Sequence, residues 1–251
     1  MVAVFMVLWT MFTPARAAET VILSADLWCP HTCDPASGHD GYMVDIAREA
    51  LALAGLKSVY QVRPWATALS EIRSGLSDGL VGTLPNEVPD LPRNQLALGH
   101  QANAFVVRAD DPFVLTGLDS LDQRRIGAVK DYSYSPAIDT WLALHRDQVM
   151  RQSGTKAAID NLEKLMSGRV DVVVDDEAVL RHGIILGGYG GKVRIAGRMP
   201  GGSLHVTFSL LRRPNSDLPQ LLDDGIAKLR ASGRLADILA GYGLADWDPK
   251  Q

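Results

Sequence analysis

Between Trp28 and Thr83 the chain alternates short apolar runs, each closed by an aromatic residue or a glycine, with longer segments of helical period. That order narrows the fold more than any other feature. Residues 21–28 read as a strand ending at Trp28, and 43–54 as a helix with Ile46, Ala50, Leu51 and Ala54 on one face and Gly55 as its stop. Residues 58–63 read as a strand, 66–74 as a helix ended by Gly75, and 79–83 as a further strand. A βαβαβ run of this kind makes a mostly parallel sheet with right-handed crossovers. Its strand ends open onto one crevice, where a small ligand is expected.

A loop with three prolines follows at 85–92, then an extended apolar segment at 102–107 that stops at Asp110-Asp111-Pro112. A second series begins there, with a strand at 125–129, helices at 136–145 and 156–166, a strand at 170–174 and a helix at 177–186. The glycine-rich segments 187–192 and 199–202 read as turns framing a short strand at 193–195. A strand at 204–211 and helices at 218–229 and 235–242 complete the chain. The expected architecture is α/β, with two open mixed sheets flanked by helices and joined by a hinge of two crossings. Residues 18–109 and 203–251 would form lobe one, and 110–202 lobe two. Two short crossings let such lobes close over a ligand nearly as rigid bodies.

Residues 1–12 are almost wholly apolar and lead to Ala15-Arg16-Ala17, which reads as a cleaved export signal over 1–17 and places the mature chain in the periplasm. The run is too short to span a bilayer, which takes about 20 residues. A net charge of −4 with scattered charged residues offers no field for nucleic acid. The only cysteines, Cys29 and Cys33, most simply pair in an exported protein. Closing so short a loop constrains the unfolded chain by only about 2 kcal/mol, so local rigidity is the expected benefit. The competing reading is a metal site from Cys29, His31, Cys33 and His39, which lacks a second ligand pair elsewhere. No metal and no cofactor are therefore expected.

The order Trp28-x-Pro30, Gly41-x-x-Val-Asp-Ile46, Trp65-x-x-Ala-Leu69, Gly75-x-x-Asp78 and Gly82-Thr83 is similar to the type 2 periplasmic solute-binding proteins, the bacterial extracellular family 3 group. The segment from Gly168 to Asp176 and the ending from Leu229 to Gly243 share the resemblance. It implies a two-lobed, monomeric, non-catalytic receptor that closes on a small solute and delivers it to an ABC permease at the inner membrane. Members binding α-amino acids usually clamp the carboxylate with an Arg soon after the third strand. Here that place falls near Val88 and the next Arg is Arg93, which argues against an ordinary amino acid and leaves an amino acid-like solute, small and polar or partly aromatic. The resemblance also implies that Asp176 pairs with a ligand amine. Its competing role is an N-cap for the following helix.

The expected ligand-binding residues are Trp28, Trp65, Gly82 and Thr83 on lobe one, and Tyr132, Ser133, Tyr134 and Asp176 on lobe two. The indoles would flank a planar or apolar group, and Ser133 and backbone N–H groups before the 136–145 helix would receive an anion. No His-Glu-x-x-His or Gly-x-Gly-x-x-Gly motif occurs. Two alternatives accompany this reading: a dehydratase-like enzyme on the same scaffold, and a soluble sensor that docks on a membrane receptor.

Overall fold

The computed structural model describes residues 20–85 and 87–246; the expected export signal at 1–17 lies outside them. Strand β1 (Thr20–Ala25), helix α1 (Tyr42–Ala52), β2 (Lys57–Val62), α2 (Trp65–Ser74) and β3 (Gly79–Thr83) follow the expected βαβαβ order. Both β2 and β3 lie parallel to β1, with Leu23 opposite Tyr60 on one side and Gly79 on the other. β1 and β3 bury apolar residues inward, β2 pairs along the edge of β1, and Gly55 and Gly75 let the chain reverse in the left-handed region after each helix.

The long strand β4 (Gly99–Arg108) then leads into β5 (Ile126–Val129), α3 (Pro136–Leu144), β6 (Val149–Gln152), α4 (Ala157–Met166), β7 (Val172–Asp176) and α5 (Glu177–Leu186). A second long strand, β8 (Val193–Phe208), returns to the first half, and α6 (Leu218–Ala231) and α7 (Arg234–Gly241) follow. Among the described residues the strands join in the order β2-β1-β3-β8-β4-β7-β5-β6. β3, β8, β4 and β7 are successively antiparallel, whereas β7, β5 and β6 are parallel.

Two sheets were expected, and the structure links both halves into one curled sheet through β8. The segment Met199-Pro-Gly-Gly202, expected as a turn, is the interior of that strand. Pro200 pairs with Ala102, and a register shift falls between His100 and Ala102. Glycine and proline in a strand mark a bulge or a close backbone approach, and both occur here. A Cβ on Gly201 would stand 2.3 Å from the Gln101 carbonyl oxygen. The passage between halves thus runs inside two paired strands. Pairing of β4 with β7 begins at Asn103, well before Asp110. The short edge strand β6 was not expected, because four residues give too little alternation to read.

The largest core joins β1, β3 and β8 to α1, α6 and α7, with Leu23, Met43, Ile46, Leu222, Ile226 and Leu239 fully buried. The second half has separate cores on its two sheet faces, one around Phe105 and Tyr134 and one around Val106 and Leu162. Tyr132 packs against the cores of both halves.

Candidate ligand cleft

The cleft begins where β1 ends. After Ala25 the chain turns through Asp26 to Trp28, and a tight loop returns Thr32 to Trp28, with Trp28 N–H donating to the Thr32 carbonyl at 2.8 Å. Cys29 and Cys33 are bridged across this loop. Oxidised sulfurs are not thiolate ligands, so the alternative metal set falls. The loop also receives the start of α1: the N–H groups of Tyr42 and Met43, which a helix leaves without internal partners, donate to the carbonyls of Pro30 and His31 at 3.1 Å each. This docking needs Gly41, whose φ is +99° and whose Cβ would meet the His31 carbonyl oxygen at 2.5 Å. Gly41→Ala should therefore cost about 2 kcal/mol or more in urea unfolding, from the strained backbone plus the clash. A variant within 0.5 kcal/mol of wild type would show that the loop yields freely.

Side chains from this loop reach across to the second half. Trp28 Nε1 donates to Asp175 Oδ1 at 2.9 Å, and His31 Nε2 lies 2.9 Å from Asp176 Oδ1. In the opposite direction, Tyr132 sends its hydroxyl to Asp26 Oδ2. Its ring meets the Trp28 indole at 6.2 Å and the Trp65 indole at 5.7 Å, nearly perpendicular to each. Trp65, the first residue of α2, donates from Nε1 to Glu87 Oε1 at 3.2 Å, and Glu87 Oε2 accepts from Leu84 N–H at 3.1 Å.

Of the expected residues, Trp28, Trp65, Gly82, Tyr132 and Ser133 line one hollow between the halves, together with Asp26, Val81, Leu84, Glu87, Gln101 and Leu204. The room inside for water-sized molecules is ≈ 20 Å³, enough for about one water. The cleft is shut, with the Tyr132 ring packed against both indoles.

Thr83, Tyr134 and Asp176 do not line this hollow. The Thr83 hydroxyl pairs with that of Thr207 at 2.8 Å, and the fully buried Tyr134 hydroxyl accepts from Val129 N–H at 2.8 Å. Asp176 is the N-cap of α5, accepting from Ala178 N–H and Val179 N–H besides His31, while its second oxygen accepts from Ala102 N–H at 2.8 Å. Three of these contacts fall on Oδ1 and one on Oδ2. It faces a separate recess of ≈ 450 Å³ beside His31, Tyr42 and Leu239. Ser133 donates its hydroxyl to Asp139, so it is not spare for an anion, and Ser135 Oγ caps α3 by accepting from Ile138 N–H.

Sequence reasoning did not anticipate Asp26, Glu87, Gln101 or Asp175 as parts of this junction. The strand-end argument that selected Trp28 applies equally to Asp26. Burial dominates the electrostatics. It pushes the Asp26 carboxyl up to about 6, against the opposing pull of the Tyr132 hydroxyl. Burial likewise lifts Asp175 and Glu87 to about 7 each. For Asp176 burial alone would do the same, but His31 and the backbone N–H donors hold it below its ordinary value. Gln101, 6% exposed, directs its amide nitrogen toward the Ser133 carbonyl at 3.5 Å and leaves Oε1 without a partner.

A family model described as bacterial extracellular solute-binding proteins, family 3, matches residues 21–245, and the chain belongs to that family. No curated protein sequence matches it. Solved structures with the same two-lobed fold include the arginine-, lysine-, histidine-binding protein ArtJ from Geobacillus stearothermophilus, 18% identical with a TM-score of 0.75 over 93% of this chain and 100% of that one. A structure from work on glutathione import through GshT and the cystine ABC importer TcyBC of Streptococcus mutans is 16% identical, with a TM-score of 0.76 over 93% and 99%. A histidine kinase sensor domain with similarity to periplasmic binding proteins is 20% identical, with a TM-score of 0.74 over 91% and 99%. The fold class expected from the sequence is thus the observed one.

Proposed function

We propose that this chain is an exported, monomeric receptor that captures a small solute between its lobes, performs no chemistry on it, and delivers it to an ABC importer at the inner membrane. Residues 1–17 supply the export signal in this reading. The observation that carries it is the junction itself, where side chains of each half engage carboxyls of the other through Trp28 and Asp175, His31 and Asp176, and Tyr132 and Asp26. Such contacts form only when the lobes meet, so a solute that bridges them draws the lobes together. The passages between lobes lie near Gln101 and Gly201, where β4 and β8 shift register. The solute-binding proteins of similar fold are described as binding arginine, lysine and histidine or as serving glutathione import, which favours a solute of amino acid size.

Thermal-shift screening of the mature chain against amino acids, amines, aromatic acids and metal salts tests this reading. A solute that binds only the folded state at a hundred times its Kd stabilises by about 2.7 kcal/mol, a shift of several degrees. The expected result is at least one solute with such a shift and a changed radius of gyration when bound. No shift from any compound, with no change in radius, would overturn it. Consumption of a solute, seen by mass spectrometry, would instead favour the dehydratase-like alternative. The likeness to a histidine kinase sensor domain favours sensing as the second reading. Reconstituted uptake with a partner permease and ATPase separates transport from sensing.

A further inference from the structure

Resting on the receptor reading above, we propose that the solute is a small organic cation, an amine or guanidine without a carboxylate, whose charged head lies between Trp28 and Trp65 against Asp26, Glu87 and Gln101, in the space now held by the Tyr132 ring. The walls of the hollow carry this. The two indoles supply faces that attract a cation. Two carboxyls and the unpartnered Oε1 of Gln101 supply acceptors. Among the described residues, no Lys or Arg lines the hollow.

An anionic group on the solute would meet two buried carboxyls and no basic partner, an arrangement that costs far more than it returns in a low-dielectric site. A cation has the opposite balance, since its N–H groups satisfy the acceptors and its charge offsets theirs. Val88 is buried in the core near α2, and Arg93 directs Nη1 to the Asn94 carbonyl at 3.0 Å. The segment after β3 therefore offers no carboxylate clamp.

Tyr132 shows the geometry that the site accepts. It brings a flat ring and one hydrogen-bond donor from the second lobe to Asp26 on the first. A solute carrying a protonated nitrogen makes the same contact with a full charge. Withdrawal of the second lobe carries Tyr132 out and uncovers both indoles together with Asp26 and Glu87.

Isothermal titration of the mature chain at pH 7.5 with agmatine, tyramine, putrescine and choline, beside arginine, glutamine and glutamate, tests the proposal. At least one carboxylate-free cation should bind, and at least as tightly as its carboxylate-bearing counterpart. Asp26→Asn and Glu87→Gln, which keep an acceptor oxygen, should each weaken that binding about tenfold or more. Tyr132→Phe frees Asp26 from its internal donor and should tighten it several-fold. Arginine binding over tenfold tighter than agmatine, or glutamate or glutamine binding with no amine bound, would overturn the cation while leaving the receptor reading in place. Amine binding indifferent to both carboxyl substitutions would overturn the site. Silence from every compound would overturn both.

Discussion

Asp78→Ala should lower the unfolding free energy by about 3 kcal/mol in urea denaturation, the scale for removing one partner of a buried ion pair. Asp78 is fully buried, and its two oxygens hold two segments distant in sequence. Oδ2 accepts from Ile22 N–H of β1 at 2.7 Å and pairs with Arg212 Nε at 2.9 Å; Oδ1 pairs with Arg213 Nε at 2.6 Å. Arg213 continues to the Thr20 carbonyl at 2.7 Å. Removing the carboxylate leaves the Ile22 N–H without its acceptor inside the sheet and releases the segment after β8 from the edge of lobe one. Both arginines are partly exposed and can regain water, which places the cost at the lower end of the range. Asp78→Asn retains an acceptor for Ile22 and should cost about half as much. A loss below 1 kcal/mol for Asp78→Ala would mean that the junction is held by the apolar core alone.

In the sequence, the same Asp78 is legible only as the end of a Gly-x-x-Asp pattern, because the arginines that explain it lie more than 130 residues away. That contrast recurs along the chain. The helices and inner strands of the first lobe could be read from apolar period and glycine stops, since these signals are local. Strand β8 could not. Its Pro200-Gly201-Gly202 centre has turn chemistry, and only the neighbouring β4 backbone holds it extended. The cleft behaves likewise. Trp28 and Trp65 follow from the rule that strand ends open on a crevice, whereas Glu87 lies in a proline-rich loop with no period to place it. Asp175 and Asp176 illustrate the limit most clearly, as adjacent carboxyls with different fates. One is a helix cap held by backbone donors and His31, and the other meets an indole 147 residues away.

The second large effect expected is on pH. Burial raises the carboxyls of Asp26 to about 6 and of Glu87 and Asp175 to about 7 in the closed form. The unfolded chain loses these protons near pH 4, so between about pH 4 and pH 7 the closed form binds more protons than the unfolded one. These three groups make stability fall as pH rises through that window, while His205, pushed down to about 4 by burial, contributes in the opposite sense over the lower part of it. The depressed carboxyls, Asp176 and Glu177 among them, act at more acidic pH and in the opposite sense. Asp175 isolates the effect, because both of its accepted bonds, from Trp28 Nε1 at 2.9 Å and Asp176 N–H at 2.8 Å, end on Oδ1. An amide can accept both. A rise from 3.8 to about 7 corresponds to roughly 4 kcal/mol for full burial, and partial opening of the lobes relieves some of it. Asp175→Asn should therefore gain about 2 kcal/mol at pH 8, nothing at pH 4, and show a flatter profile between. Asp175→Leu, which strips Trp28 of its acceptor, should lose stability at both. Because Asp175 and Trp28 stand on opposite lobes, the charge that accumulates above pH 7 also pushes the lobes apart. Scattering from the ligand-free wild type should show a larger radius of gyration at pH 8 than at pH 5, and the Asp175→Asn chain should stay compact at both. A wild-type radius independent of pH, with an Asn variant no more stable at pH 8, would mean that the junction tolerates its buried charge.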